Sequence, residues 1–330
     1  MRVALNHWYP VLEPREVKRK PLTVERLGVL LVFWRSSDGR LHAQRDRCPH
    51  LGASLGRGQI VGDTLVCPFH GFAFGTDGHC HLAPALGRHS RIPKGLAVQT
   101  LLVREAHDLV WLWWGDVTLA SETLPFFEEL AQGWHHHSFS TQWPVHYTRA
   151  IENQMDVAHL PFVHHNTIGA GGRTVVEGPH VETHGTEIRV WATARRDDGS
   201  PLRSADALAQ AAQQRPPTQI LRLPGCWLLN ISASLKLFLV FVPVNEHCTR
   251  YYLRSCWRFG PRWLAPAIGW LIGLSNRYIL NQDRAVVITQ TPADSSQARG
   301  DQLIGADLAI AQFRRVHAQL LANGDPAGGE

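Results

Sequence analysis

Nowhere is this 330-residue chain apolar for long enough to cross a bilayer. The longest such run, Trp263 to Leu274, covers 12 residues and includes a proline and two glycines, where a spanning helix needs roughly 20. The N-terminus has no apolar signal region either, so a cytoplasmic protein without a transmembrane segment is expected. Cysteine is sparse: six residues, at 48, 67, 80, 226, 248 and 256, are too few for a disulfide scaffold, which leaves metal ligation or plain burial. Acidic residues fall short of basic ones, giving a net charge of +5. The cations are scattered and no finger, recognition-helix or RNA-binding pattern occurs, so nucleic acid is not an expected partner; mild basicity suits an acidic protein instead. What remains is an ordinary globular balance, 44% hydrophobic and 18% charged, with length enough for two cores. Histidine is plentiful at 19 residues, but His135-His136-His137 lies in a polar, loop-like stretch where no metal role is expected.

From Trp8 to Trp114 the text reads as short strands and glycine turns, a small β domain. It contains Cys48-Pro-His50 and Cys67-Pro-Phe-His70, each followed closely by glycine (Gly52, Gly71). Two loops that each offer one thiolate and one imidazole are what a Rieske [2Fe–2S] centre requires, Cys48 and Cys67 on one iron and His50 and His70 on the other. A structural zinc site could use the same four side chains, although zinc sites usually pair like ligands within each knuckle.

Further on, Glu152-Asn-Gln-Met-Asp-Val-Ala-His159 places Glu152, Asp156 and His159 at i, i+4 and i+7, one face of a helix that Pro161 would break before His164. Two imidazoles and a carboxylate on one side of a metal leave positions open for dioxygen. The residues alone leave other readings: His159 as a core histidine, His165 replacing His164, Glu152 as a cap or a surface ion-pair partner. Between Ser275 and Gln290, Ile279, Leu280, Val286 and Val287 form a helical apolar stripe with Asp283 inside it. A carboxylate on a core face needs a cationic partner, a backbone donor or a metal.

The chain resembles the Rieske non-haem iron oxygenases, of the aromatic ring-hydroxylating α-subunit type. The resemblance runs through Asn6-His-Trp-Tyr-Pro10, Cys-Pro-His-Leu-Gly, Cys-Pro-Phe-His-Gly-Phe, Leu109-Val-Trp-Leu-Trp-Trp-Gly115 and the motif ending at His164. Respiratory relatives carry a further cysteine pair and a serine where this chain has Ala53, Phe69 and Phe72, which implies fewer hydrogen bonds to the cluster and a lower potential. The resemblance implies mononuclear Fe(II) held by His159, His164 and Asp283, with Asp156 hydrogen-bonding the ligands and bridging the metal centres. It also implies dioxygen as co-substrate, electrons from a ferredoxin or flavin reductase with NAD(P)H acting only through that reductase, and a homotrimer.

An α+β chain is therefore expected: an all-β Rieske domain over 1–117, a helix-grip (START/Bet v 1-like) antiparallel-sheet catalytic domain over 118–322, and a flexible tail over 323–330. Strands are expected at Ser138–Trp143, Thr174–Val176, His180–Ala194, Gln219–Leu223, Trp227–Ser232, Leu235–Val242 and Arg250–Phe259, with Asp197–Pro217 a loop or short helix. Trp227, Leu229, Phe238, Val240 and Phe241 are candidates for a pocket that takes a small apolar organic substrate for hydroxylation, dealkylation or cis-dihydroxylation. The alternative is an electron carrier with a non-catalytic ligand-binding domain, in which the second-domain motif would be idle.

Overall fold

A computed structural model describes residues 1–87 and 90–324. It divides into two compact units, Met1–Leu124 and Pro125–Glu330. The first unit runs past residue 117 because its own side chains hold the following segment: Trp8 Nε1 donates to Ser121 O at 2.7 Å and Arg104 Nη1 to Glu122 O at 2.7 Å.

In the first unit the strands are β1 (His7–Leu12), β2 (Leu22–Arg26), β3 (Val29–Arg35), β4 (Leu41–Arg45), β5 (Gln59–Val61), β6 (Thr64–Val66), β7 (Ala73–Gly75), β8 (Cys80–Leu82), β9 (Thr100–Leu101), β10 (Val103–Ala106) and β11 (Leu109–Trp114). They form three sheets, ordered β1-β11-β10, β2-β3-β4-β9 and β5-β6-β7-β8. The run Leu-Val-Trp-Leu-Trp of β11 is buried without alternation, as suits a central strand covered on both faces. Leu27 and Gly28, both at positive φ, make the two-residue turn that joins β2 to β3.

The second unit runs β12 (His135–Trp143), α1 (Tyr147–Met155), α2 (Leu160–Val163), β13 (Val175–His184), β14 (Glu187–Arg195), α3 (Ala205–Ala212), β15 (Gln219–Arg222), β16 (Cys226–Ser232), β17 (Leu235–Asn245), β18 (Cys248–Trp257), α4 (Ala265–Val287) and α5 (Leu308–Gly324). Its strands form one antiparallel sheet, β12-β18-β17-β16-β15-β14-β13, with the long helix α4 packed on it. This is the α+β helix-grip arrangement expected, with local corrections. The stretch His180–Ala194 is two strands, because Gly185 at φ +59 turns the chain back and lets His184 pair with Glu187. Helix α4 starts ten residues before Ser275, taking in the apolar run from Ala265 to Leu274 with Trp263 and Leu264 in the turn before it, and Asp197–Pro217 contains the helix α3. The tail expected from 323 lies, from 325 onward, outside the described residues.

Glycine spacing sets how closely α4 approaches the sheet. A Cβ on Gly269 would stand 2.8 Å from Trp257 Cη2, and one on Gly273 would stand 2.6 Å from His137 Cε1. Asn276 then donates from Nδ2 to Ser255 Oγ at 2.8 Å, and Asp283 follows two turns later on the same buried side.

Candidate metal centres and the cavity beside one of them

Two loops at one end of the first unit share one backbone design. Cys48 N donates to Ala53 O and Gly52 N to Cys48 O; Cys67 N donates to Phe72 O and Gly71 N to Cys67 O, all at 2.8–3.1 Å. Gly52 and Gly71 sit at φ +78 and +72, where a side chain would be strained. Asp46 fastens the first loop by accepting from Thr23 Oγ1, Ser54 Oγ and the Gly56 N–H. Both cysteines are buried among Trp34, Leu55, Leu65, Phe72 and Phe74, whereas His50 and His70 are exposed with their rings 4.7 Å apart. Burial, and after it the adjoining Cys67 sulfur, pushes the Cys48 thiol up to about 11. Two thiolates side by side in an apolar pocket need a cation, and two convergent imidazoles beyond them complete a donor set that fits a [2Fe–2S] cluster.

In the second unit, helix α1 ends at Met155 rather than continuing to His159. Asp156 is extended, and its Oδ1 accepts the Ala158 N–H at 2.6 Å, an Asx-type turn that competes with the helix. Glu152, Asp156 and His159 therefore share no continuous helical face. His159 instead caps the short helix α2, Pro161 lies in its first turn rather than breaking it, and His164 closes it. This turn brings the two imidazoles to a ring separation of 5.2 Å.

Asp283 meets them from α4. His164 Nε2 lies 2.9 Å and His159 Nε2 3.5 Å from Asp283 Oδ1, and the three ligand atoms all fall within 4.8 Å of one another. Neither contact has hydrogen-bond geometry, so Asp283 Oδ1 is buried with no hydrogen-bond partner. On its other side His164 donates from Nδ1 to Gln282 Oε1 at 2.9 Å, which leaves the Nε2 lone pair facing the carboxylate. Lone pairs so placed repel unless a cation lies among them, and two imidazoles with one carboxylate suit ferrous iron. Burial lowers the His164 pKa, but the Asp283 carboxylate and the Gln282 amide more than offset it, so the net shift is upward. His165 is exposed, bonded to Phe162 O, and outside the group. Asp156 Oδ2 stands 3.4 Å from His159 Nδ1; burial raises its pKa, and the His159 ring and the Ala158 N–H bring it below the ordinary value.

The triad forms the polar end of a cavity of about 290 Å³. Trp227, Leu229, Ile231, Leu237, Leu253, Ile279 and Leu280 line it, with Gln154, Gln219 and Asn276 as its uncharged polar groups. Of the expected lining residues, Trp227 and Leu229 are present. Phe238 and Val240 alternate to the other face of β17, where Phe238 packs on Phe126 and Phe127; Phe241 is on the cavity's side of the pleat but packs on Tyr251. Gln219, Gln282 and Asn276 escaped the sequence reading. Only the Asn-Gln-Asp run at 281–283 carried a signal, and that for Asp283.

Residues 7–101 match the Rieske [2Fe-2S] domain, and residues 143–323 match the vanillate O-demethylase oxygenase C-terminal domain. The chain is 34% identical over 165 residues to protein TIC 55 of Arabidopsis thaliana, covering 49% of this chain and 31% of that one. It is 31% identical over 207 residues to the vanillate O-demethylase oxygenase subunit of a Pseudomonas species, covering 59% and 57%. The chain thus spans between about a third and somewhat over half of these relatives. The crystal structure of dicamba monooxygenase bound to dicamba superposes with a TM-score of 0.80 at 22% identity, over 98% of this chain and 99% of that one, and so shares its fold.

Proposed function

Because this chain belongs to the Rieske oxygenases with a vanillate O-demethylase-type C-terminal domain, we propose that it is a monooxygenase that hydroxylates or oxidatively dealkylates a small, uncharged, largely apolar organic compound. The observation that carries the reading is the convergence of His159, His164 and Asp283 at the end of an apolar cavity, in a chain that also has both Rieske loops. A cluster on Cys48, Cys67, His50 and His70 would supply single electrons, and ferrous iron on His159, His164 and Asp283 would supply open positions for dioxygen.

The protein's own part is orientation and exclusion. Gln282 holds the His164 tautomer through Nδ1, and Asp156 stands against Nδ1 of His159 to do the same. The walls of Trp227, Leu229, Ile231 and Leu237 keep water from the reacting atoms. No lysine or arginine lines the cavity among the described residues, so no side-chain counter-ion stands ready for an anionic substituent of the substrate. Electrons would come from a ferredoxin or flavin reductase in a cytoplasmic system. In a homotrimer Asp156 would serve as the bridge between centres. Asp283→Ala is expected to abolish mononuclear iron binding and oxygen-dependent product formation while leaving the cluster's visible absorption intact; retention of iron and turnover in that variant would overturn the assignment.

A further inference from the structure

The side of α4 turned away from the cavity carries a chemistry that oxygenation does not use. Its buried side consists of Gly269, Gly273, Asn276, Leu280, Asp283 and Val287. On the opposite side Trp270, Leu271, Leu274 and Tyr278 are exposed, continuing from Trp263, which is 78% exposed in the turn before the helix. At 3.6 residues per turn these five fall in one stripe about 24 Å long. Single exposed apolar side chains are ordinary, but a continuous stripe with three large aromatic rings marks a surface that meets something else. Along the segment itself the charge has one sign. From Arg258 to Gln282 the chain contains no aspartate or glutamate, while Arg258, Arg262 and Arg277 are all exposed.

Exposed tryptophan and tyrosine flanked by arginine, on a helix whose other side is held by protein, is the composition of a helix lying in a bilayer interface. Aromatic rings set among arginines complement an anionic headgroup layer with apolar chains beneath it. No helix of the described residues is long and apolar enough to cross a membrane. We propose that this face of α4, together with Trp263, docks the protein peripherally on an anionic lipid surface. The docking is independent of the oxygenase reading, but it would have a consequence for it. The opposite side of the same helix lines the cavity with Asn276, Leu280 and Asp283, so an apolar compound dissolved in the bilayer would be held within one helix diameter of the iron ligands.

The test is flotation of the purified full-length holoprotein with phosphatidylcholine vesicles, made with and without phosphatidylglycerol. The wild-type protein should float with the anionic vesicles and much less with the neutral ones. Trp263→Ser with Trp270→Ser should reduce the floating fraction on anionic vesicles about tenfold, and Arg262→Gln with Arg277→Gln should do so by a similar factor. Unchanged cluster absorption and helical circular dichroism would show that each variant is folded. Wild-type protein that stays in solution with both vesicle types, or variants that float as well as it does, would overturn the proposal. So would tryptophan variants whose only change is a lower mass by light scattering, since the face would then join copies of the chain.

Discussion

Glu152 stands between two guanidinium groups. Arg314 donates from Nε to Oε1 at 2.6 Å and Arg149 from Nη1 to Oε2 at 3.0 Å, while Asp301 Oδ2 accepts from both arginines. Glu152 and Arg149 are buried, so the ion pair is an interior one that ties α1 to α5, and neither a cap nor a surface pair. Removing one charge from such a group leaves the others unpaired away from water. Glu152→Gln is therefore expected to lower unfolding stability by about 3 kcal/mol, measured by urea titration, with iron content of the folded protein unchanged. The identity of this partner was not legible in the sequence, because Arg314 lies 162 residues downstream. The proposed cluster ligands were legible for the opposite reason: each loop holds its cysteine and histidine within four residues, and the glycine its geometry needs comes one or two residues after the histidine.

Two helices illustrate what elements do that single residues cannot. The glycines of α4 set its distance from β12 and β18, and hence where Asp283 stands. Gly273→Ala would push the helix off His137, with an overpacking cost of about 1–3 kcal/mol. Its iron affinity should fall more than that of a surface variant of equal stability, as read by metal titration. Helix α5, left unassigned from sequence although Ile310, Phe313, Val316 and Leu320 stand at helical spacing, docks through His317, whose ring stacks on Phe313 and accepts from or donates to Tyr147 OH at 2.7 Å. Burial lowers the His317 pKa to about 4. The unfolded chain, with an ordinary histidine value near 6.5, then takes up the proton more readily, so this contribution to stability is complete above that value and is lost as pH falls toward 4. About 2 kcal/mol should disappear between pH 7 and 5, and His146, also lowered by burial, acts in the same direction. His317→Gln should flatten the pH dependence of the urea midpoint over that range.

At the scale of the whole chain, each donor set is complete within one compact unit: the two loops within Met1–Leu124, the triad within Pro125–Glu330. Treatment with a ferrous chelator should therefore take iron from roughly three per chain to roughly two with the cluster's visible bands unaltered; loss of colour in step with iron would contradict that separation. The all-β part was readable from turn chemistry and short strands, and the sheet gripping a helix from the family resemblance, whereas the cavity was not. Its wall comes from residues on α1, α2, β15 to β18 and α4, and only the pleat decides that Leu237 faces inward and Phe238 does not. At the other end of the chain, the cysteines of the Rieske loops are sealed in and the histidines stand in the open between Leu51 and Phe69, each more than half exposed. This open side brings an electron donor nearest the cluster, so Phe69→Asp should slow reduction of the cluster by that donor, read as the rate at which its oxidised absorption is lost, with the absorption itself intact.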